Sequence, residues 1–238
     1  MRKATLGRNA LGVLLALVAV LAALYWGLGA QTLAAHKVDL IYLGQQHLML
    51  VAVSMGAALL VGVPSGIILS RPFARRWSES VMQIFNVGNT LPPMAVLALA
   101  MVVIGIGDRP ALVALFLASL LPIVRNTWAG LIAVPPSLLE AANGIGMTRL
   151  QRLLHVELPN ALPVIMTGVR IATAINVGTA PLAFLIGAPS FGELIFPGIY
   201  LNNFPMLILG AVATALVAWV LDMLLAAGGR LLSPHLEA

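Results

Sequence analysis

The chain has 238 residues, of which 61% are hydrophobic and 9% are charged, and its formal net charge is +5. An average soluble protein is about 45–50% apolar and about 25% charged. A soluble globular domain is therefore excluded, because a fold of this size cannot bury so much apolar surface. Disorder is excluded because disordered chains are polar, and the absence of cysteine rules out disulfides, a thiol nucleophile and thiolate-bound metals. The positive charge favours the cytoplasmic face of a membrane protein over a nucleic-acid partner.

Six segments are long and apolar enough to cross a bilayer, which takes about 20 residues of helix. Each contains at most one charged residue, and the apolar runs are continuous, which indicates helices and hence an all-α polytopic membrane protein. They cover residues 11–30, 48–69, 81–104, 110–132, 161–186 and 205–227.

The first segment follows a basic stretch, as the apolar part of a signal peptide would. Its apolar run of about 20 residues exceeds the usual length of about 7–15 in a cleaved signal. We therefore predict a retained first transmembrane helix.

Lys and Arg divide unequally between the two sides of the predicted membrane. With the N-terminus inside, the inner segments contain Arg2, Lys3, Arg8, Arg71, Arg75, Arg76, Arg149, Arg152 and Arg230. The outer loops contain Lys37 and Arg109. Because cytoplasmic loops are enriched in Lys and Arg, both termini are predicted to be cytoplasmic.

The longest inner segment, residues 135–159, is predicted to form two short helices. Two prolines end the fourth span, and Ser137 with Glu140 matches a capping box that would start a helix at residue 138. Gly144 and Gly146 are expected to end this helix in a glycine elbow.

A second capping box, Thr148 with Gln151, is predicted to start the second helix, which Pro159 would limit. Such a loop could lie on the lipid surface as an amphipathic element. Alternatively, its rigid shape suits insertion into a groove on another protein. The residues alone leave both interpretations open.

Polar side chains inside the third and fifth spans are candidates for a translocation path. In span three they precede a Pro-Pro pair that is expected to kink or unwind the helix, and in span five they recur at a spacing of three, on one helix face. They are Asn86, Asn89, Thr90, Thr173, Asn176 and Thr179. The alternative is that they only form hydrogen bonds between helices.

Two further features have two interpretations each. Arg170 in span five could reach towards the membrane surface or pair with an acid, for which Asp222 in span six is a candidate. Residues 188–203 could form an outer gate element and docking surface, or only a connecting loop. The four histidines have no metal-ligand spacing, so no metal site is predicted.

The inner loop contains a long motif of fixed spacing. It reads Glu140-Ala141-Ala142, then Gly146, then Val156-Glu157-Leu158-Pro159. This resembles the EAA signature of permease subunits of bacterial ABC importers, with Val156 where the signature has Ile. The resemblance implies a type 1 permease fold in a bacterial inner membrane, with a core over residues 44–228. Residues 1–43 would hold the N-terminal tail, first helix and outer loop, and residues 229–238 a cytoplasmic tail.

The resemblance also implies partners. They are a second permease subunit, identical or related, two cytoplasmic ATPase subunits that bind ATP and Mg, and an external substrate-binding protein. This chain would bind no cofactor itself, and loop 135–159 would couple it to the ATPase. The coupling residues carried over from the motif are Glu140, Ala141, Ala142, Gly146, Leu158 and Pro159.

Residues 88–98 and 170–180 are similar to the subfamily that imports quaternary ammonium osmoprotectants such as glycine betaine, choline and carnitine. Another small solute, such as an amino acid, remains the alternative substrate. A secondary carrier or intramembrane hydrolase is less favoured, because the spans lack mid-bilayer coupling carboxylates and a catalytic dyad. The sequence also lacks a phosphate-binding G-x-x-x-x-G-K-[ST] motif, consistent with ATP hydrolysis on another subunit.

Overall fold

The computed structural model describes residues 22, 25–27 and 29–232, without the side chains of residues 75 and 87–89. Most of the predicted first span, the basic residues before it and the last six residues therefore lie outside the described part of the chain. The side chains of Arg75 and Asn89 also lie outside it.

The described part of the chain is helical. Its helices, numbered along the described residues, are α1 (Ala30–Ala35), α2 (Lys37–Leu69), α3 (Arg75–Thr90), α4 (Pro93–Ile104), α5 (Asp108–Ile132), α6 (Pro136–Gly144), α7 (Arg149–Ile186), α8 (Gly192–Tyr200) and α9 (Phe204–Leu232). Four helices among the described residues are long and apolar enough to cross a membrane, namely α2, α5, α7 and α9.

The predicted span 81–104 is two helices. Pro92 caps α4 in an extended conformation, and the chain between Thr90 and Pro93 is not helical. This agrees with the expectation that the Pro-Pro pair interrupts the helix, since proline removes a donor and clashes with the preceding turn. At 12 residues, α4 alone is too short to cross a bilayer.

Helix α5 lies at the centre of the bundle, packed against α2 on one side and α7 on the other. Leu50, Leu115, Ile123 and Val177 are fully buried between these three helices. Helix α9 packs along α7, and the short α8 packs on α9. The core therefore places Asn176 of α7 against α2 and α5.

Helix α7 runs without a break from the inner loop into the bundle. It begins as an α-helix, widens into a π-helical turn over Leu153–Glu157, and returns to an α-helix over Leu158–Thr179. It ends in a 3-10 segment, Ala180–Ile186. The prediction that Pro159 limits a separate second loop helix is wrong. The wide turn lets the Leu158 N–H bond to the Leu153 carbonyl, five residues back, so Pro159 lies in the first turn of the resumed α-helix, where its missing N–H is tolerated.

The predicted capping box of Ser137 and Glu140 is also wrong. Helix α6 begins at Pro136 with Pro135 as its N-cap, and among the described residues no side chain caps it. Proline favours the first helical position because its fixed φ suits a helix start. The Pro-Pro pair therefore starts the helix at Pro136, two residues earlier than the start at 138 that a Ser137 cap would give.

The second capping box is confirmed. The Gln151 N–H donates to Thr148 Oγ1 (3.3 Å), and the Thr148 N–H donates to Gln151 Oε1 (2.9 Å). This pair fixes the start of α7 and hence the end of the loop that follows α6.

Candidate functional site

The connection between α6 and α7 is a tight glycine elbow. Gly146 has a φ of +78°, which L side chains rarely adopt. Its N–H donates to the Asn143 carbonyl (3.0 Å), and the next N–H, of Met147, donates to the Ala142 carbonyl (3.1 Å). These bonds satisfy the last carbonyls of α6 and turn the chain sharply into α7. The elbow lies where the sequence predicts it.

The predicted coupling residues divide between an exposed and a packed group. Glu140, Ala141 and Gly146 are exposed, whereas Ala142 is buried. Leu158 is half-buried against the hydrophobic core of the bundle, and Pro159 is exposed on the first turn after the π-helical segment. The motif therefore presents one face of the loop outward and anchors the other face to α7.

An ionic cluster that the sequence analysis did not predict joins the two halves of the motif. The Arg71 guanidinium, just after α2, donates to Glu157 Oε2 at 2.5 Å. Arg152 donates through Nε to Glu157 Oε1 (2.9 Å) and through Nη1 to Asn143 Oδ1 (2.8 Å). Glu157 lies between Val156 and Leu158 in the last part of the motif, and only the fold brings Arg71, 86 positions away, beside it.

Asn176 forms the polar centre of the bundle. Its side chain is fully buried and donates through Nδ2 to Ser54 Oγ on α2 (2.9 Å) and to Ser119 Oγ on α5 (2.7 Å). Thr173 is buried one turn away, and its hydroxyl donates to the Val169 carbonyl (2.9 Å). In this conformation both side chains are buried in the bundle and do not line an open path.

Thr179 has a different environment, on a cavity of about 310 Å³ between α3, α4, α5 and α7. The other lining residues are mainly apolar, among them Phe85, Leu97 and Leu121. Asn86 is half-buried and Thr90 is exposed, both on α3. The predicted path residues are therefore not gathered into one site within the described part of the chain.

Arg170 and Asp222 form the pair that the sequence suggests. Arg170 Nε donates to Asp222 Oδ1 (2.7 Å), and Nη2 donates to Oδ2 (2.8 Å). This two-pronged geometry joins α7 to α9. It neutralises the charge that each residue brings into an apolar helix.

Segment 188–203, which is predicted to lie outside, contains a helix, α8, rather than an irregular loop throughout. Phe191 and Leu194 are buried against α2, and Phe191 lies beside the ring of His47 at a centroid distance of 4.9 Å. Burial, together with the nearby negative charge of Asp39, raises the pKa of the Glu193 carboxyl above its ordinary value.

The chain belongs to the family described as binding-protein-dependent transport system inner membrane component, which matches residues 62–238. It is thus the transmembrane permease component of such a system, and not its ATPase.

The chain is 72% identical to the osmoprotectant import permease protein OsmY of Salmonella typhimurium strain LT2. That match covers 96% of this chain and 97% of the relative. It is 38% identical to the glycine betaine/carnitine/choline transport system permease protein OpuCB of Bacillus subtilis strain 168, over 82% of this chain and 89% of the relative.

Its fold is similar to a chain of the MetNI methionine ABC transporter in an inward-facing conformation. The TM-score is 0.73 at 22% identity, and the match covers 83% of this chain and 98% of that chain. At this identity the likeness concerns the fold alone.

Proposed function

We propose that this chain is the permease subunit through which an ATP-driven, binding-protein-dependent importer carries quaternary ammonium osmoprotectants such as glycine betaine, choline and carnitine. The observation that carries the proposal is 72% identity, over 96% of the chain, to a protein named as an osmoprotectant import permease. The similarity of residues 88–98 and 170–180 to the same subfamily supports it.

The charge distribution suits a zwitterionic substrate. Asp222 is the one acidic residue within the six predicted spans, and both of its carboxylate oxygens are bound by Arg170. A bare metal cation would lack a free counter-charge in such a path, and its transfer into an apolar region is costly. Glycine betaine brings its own carboxylate, so its net charge is zero. Tight recognition of the quaternary amine would take place in the external binding protein, where aromatic side chains can surround it.

The proposed topology has six spans and both termini in the cytoplasm. Helices α2, α5, α7 and α9 supply four spans, the pair α3–α4 supplies one, and residues 11–30 supply the first. The supporting observation is the excess of Lys and Arg in the segments that this topology places inside.

Loop 135–159 is proposed to couple the permease to its ATPase partner. The exposed residues Glu140 and Ala141 on α6, together with the elbow at Gly146, would insert into a groove of the ATPase, while Leu158 anchors the loop to the core. Two such permeases and two ATPase subunits, which bind ATP and Mg, would form the complex. Helix α8 would contribute to the outer surface where the binding protein delivers substrate.

ATP binding would then close the ATPase pair, draw the two coupling loops together and change the bundle from inward-open to outward-open. Residues 44–228 would form the moving core. Among the candidate path residues, Thr179 and the α3 residues Asn86, Asn89 and Thr90 would line the path. Thr173 and Asn176 would be exposed only if the packing of α2, α5 and α7 changes.

The test is growth of a bacterium that lacks its own osmoprotectant uptake and expresses this permease with its ATPase and binding protein. At high salt, added glycine betaine, choline or carnitine should restore growth. Cells with the same genes but no permease are the matched control. If the permease is present in the membrane and none of these compounds restores growth, the substrate assignment is wrong.

A further inference from the structure

The ionic cluster around Glu157 occupies the junction of three helices. Glu157 is only 4% exposed, yet one of its oxygens binds Arg71 and the other binds Arg152. Arg71 follows the end of α2, Arg152 lies on the first turn of α7, and Asn143, the further partner of Arg152, lies on α6. One carboxylate thus links the coupling loop to two helices of the bundle.

The cluster is anchored to the backbone of α2. Arg71 also donates through Nε to the Ile67 carbonyl (3.1 Å), which fixes its guanidinium against the last turn of α2. Because a carboxylate held out of water is costly unless it is paired, Glu157 depends on both arginines. Loss of either contact would leave a buried charge partly uncompensated.

The π-helical turn orients Glu157 towards this junction. In a regular helix each residue is rotated by about 100° from the last, so one additional residue in a turn changes the face on which Glu157 lies. Side chains bind the carbonyls that the wide turn disturbs: His155 Nδ1 lies 2.9 Å from the Gln151 carbonyl oxygen, and Asn160 Nδ2 donates to the Val156 carbonyl (2.7 Å). The irregular turn is therefore stabilised locally.

The hydrogen bond from Arg152 to Asn143 extends the cluster, so that it connects α6 as well as α2 and α7. Asn143 is exposed near the end of α6, between the coupling residues Ala142 and Gly146. Displacement of α6 would pull on Arg152, and through Glu157 on Arg71 and the end of α2. Helix α2 in turn holds Ser54, which binds Asn176 in the bundle centre.

We propose that Glu157 is the positioning residue of the coupling loop, which binds Arg71 and Arg152 together so that movement of α6 is passed to α2 and α7. This inference rests on the proposed function, because it assumes that an ATPase moves α6. It gives Glu157 a mechanical role, separate from that of the surface residues that would touch the ATPase.

The test uses the full complex in proteoliposomes and measures substrate transported per ATP hydrolysed. Glu157→Gln, which keeps the shape but removes the charge, should lower this ratio about tenfold, while the ATPase still co-purifies and still hydrolyses ATP. Asn143→Ala, which cuts only the link to α6, should lower it about threefold. The matched control is Glu79→Gln on α3, the same chemical change at an exposed residue that lines one cavity together with Glu157.

A double variant distinguishes positioning from simple stability. If Asn143 acts through Glu157, Asn143→Ala should add almost nothing to the loss in Glu157→Gln, since the two changes break one link. The proposal would be contradicted if the double variant lost as much as the product of the two single losses. It would also be contradicted if Glu157→Gln kept the wild-type ratio of substrate transported per ATP hydrolysed. If Glu157→Gln does not assemble, Asn143→Ala decides: an unchanged ratio overturns the proposal and a reduced ratio supports it.

A second measurement does not depend on the substrate. The chain has no cysteine, so spin labels can be attached at Phe73→Cys after α2 and Ser137→Cys on α6, both exposed positions. In the complex, the distance distribution between them should be narrow and should broaden in Glu157→Gln but not in Glu79→Gln. An unchanged distribution would overturn the proposal. Failure of the wild-type complex to carry any quaternary ammonium compound would instead refute the proposed function and leave this result interpretable.

Discussion

The close approach of α2 to α5 gives a prediction whose sign can be worked out from the structure. A Cβ added at Gly66 would lie 2.5 Å from Thr127 Cβ and 2.9 Å from the Val124 carbonyl oxygen. Carbon atoms pack at about 3.5–4.0 Å, so the two helices would have to separate by about 1 Å at this point. Neither neighbour is the end of a flexible side chain, so the clash cannot be relieved by a rotamer change.

Overpacking of this kind costs about 1–3 kcal/mol, and the rigid neighbours place Gly66→Ala near the upper end. Alanine regains about 1 kcal/mol of helix propensity, so the net loss in free energy of unfolding should be about 2 kcal/mol. Gly56, on the same helix, is the matched control, since a Cβ there has no described atom within 4 Å apart from its chain neighbours and the nearby backbone of its own helix. Gly56→Ala should therefore stabilise the permease by up to about 1 kcal/mol.

The assay is thermal unfolding of the purified permease in detergent, followed by tryptophan fluorescence. For chains of 150–250 residues, about 1 kcal/mol shifts Tm by about 2–4 °C, so the two variants should differ by about 6–12 °C with opposite signs relative to the parent. Equal shifts, or a Gly66→Ala variant as stable as the parent, would refute the helix packing described here.

Three more predictions concern the elbow, the ion pair and the topology. Gly146→Asp adds a charged side chain to the elbow and puts a Cβ in a left-handed conformation, which costs an ordinary L residue about 1–2 kcal/mol. Transport and substrate-stimulated ATPase activity should therefore be lost with membrane insertion retained. Normal coupling would show that the elbow is not needed. Asp222→Asn should lower the yield of folded permease in a detergent-extraction assay, because unpaired Arg170 costs about 2–3 kcal/mol at membrane depth. Exchanging the two residues should restore the yield. A yield that neither change alters would show that the pair is irrelevant. An impermeant thiol reagent should label Lys37→Cys in intact cells but Ala141→Cys only after lysis, and the reverse pattern would invert the orientation.

Features that depend on near neighbours in the sequence could be predicted, because their geometry is local. The capping box of Thr148 and Gln151 and the elbow at Gly146 involve contacts within three or four residues. The errors also have local causes: Pro136 starts α6 before Ser137 can cap it, and a π-helical turn carries α7 through Pro159. The helix start at Pro136 and the π-helical turn are backbone conformations that the capping-box pattern and the position of Pro159 do not predict.

Apart from the Arg170–Asp222 pair, which the sequence offers as one of two interpretations, features that depend on which helices meet could not be predicted. The sequence does not distinguish Gly66, which touches Thr127, from Gly56, which faces open space within the described chain. It also does not show that Arg71 meets Glu157, since they are 86 positions apart. The sequence allowed two interpretations of Asn176, as a path residue or as a hydrogen-bond centre between helices. The positions of Ser54 and Ser119 in the fold support the second.

We propose above all that this permease imports quaternary ammonium compounds in an ATP-driven process. The most direct measurement is uptake of radiolabelled glycine betaine into proteoliposomes that contain the complete complex, with ATP inside and loaded binding protein outside. We predict uptake that needs both ATP and the binding protein and that choline or carnitine reduces in competition. Uptake of a primary amino acid with no response to glycine betaine, choline or carnitine would contradict the substrate assignment, and betaine uptake that persists without ATP would contradict the mechanism.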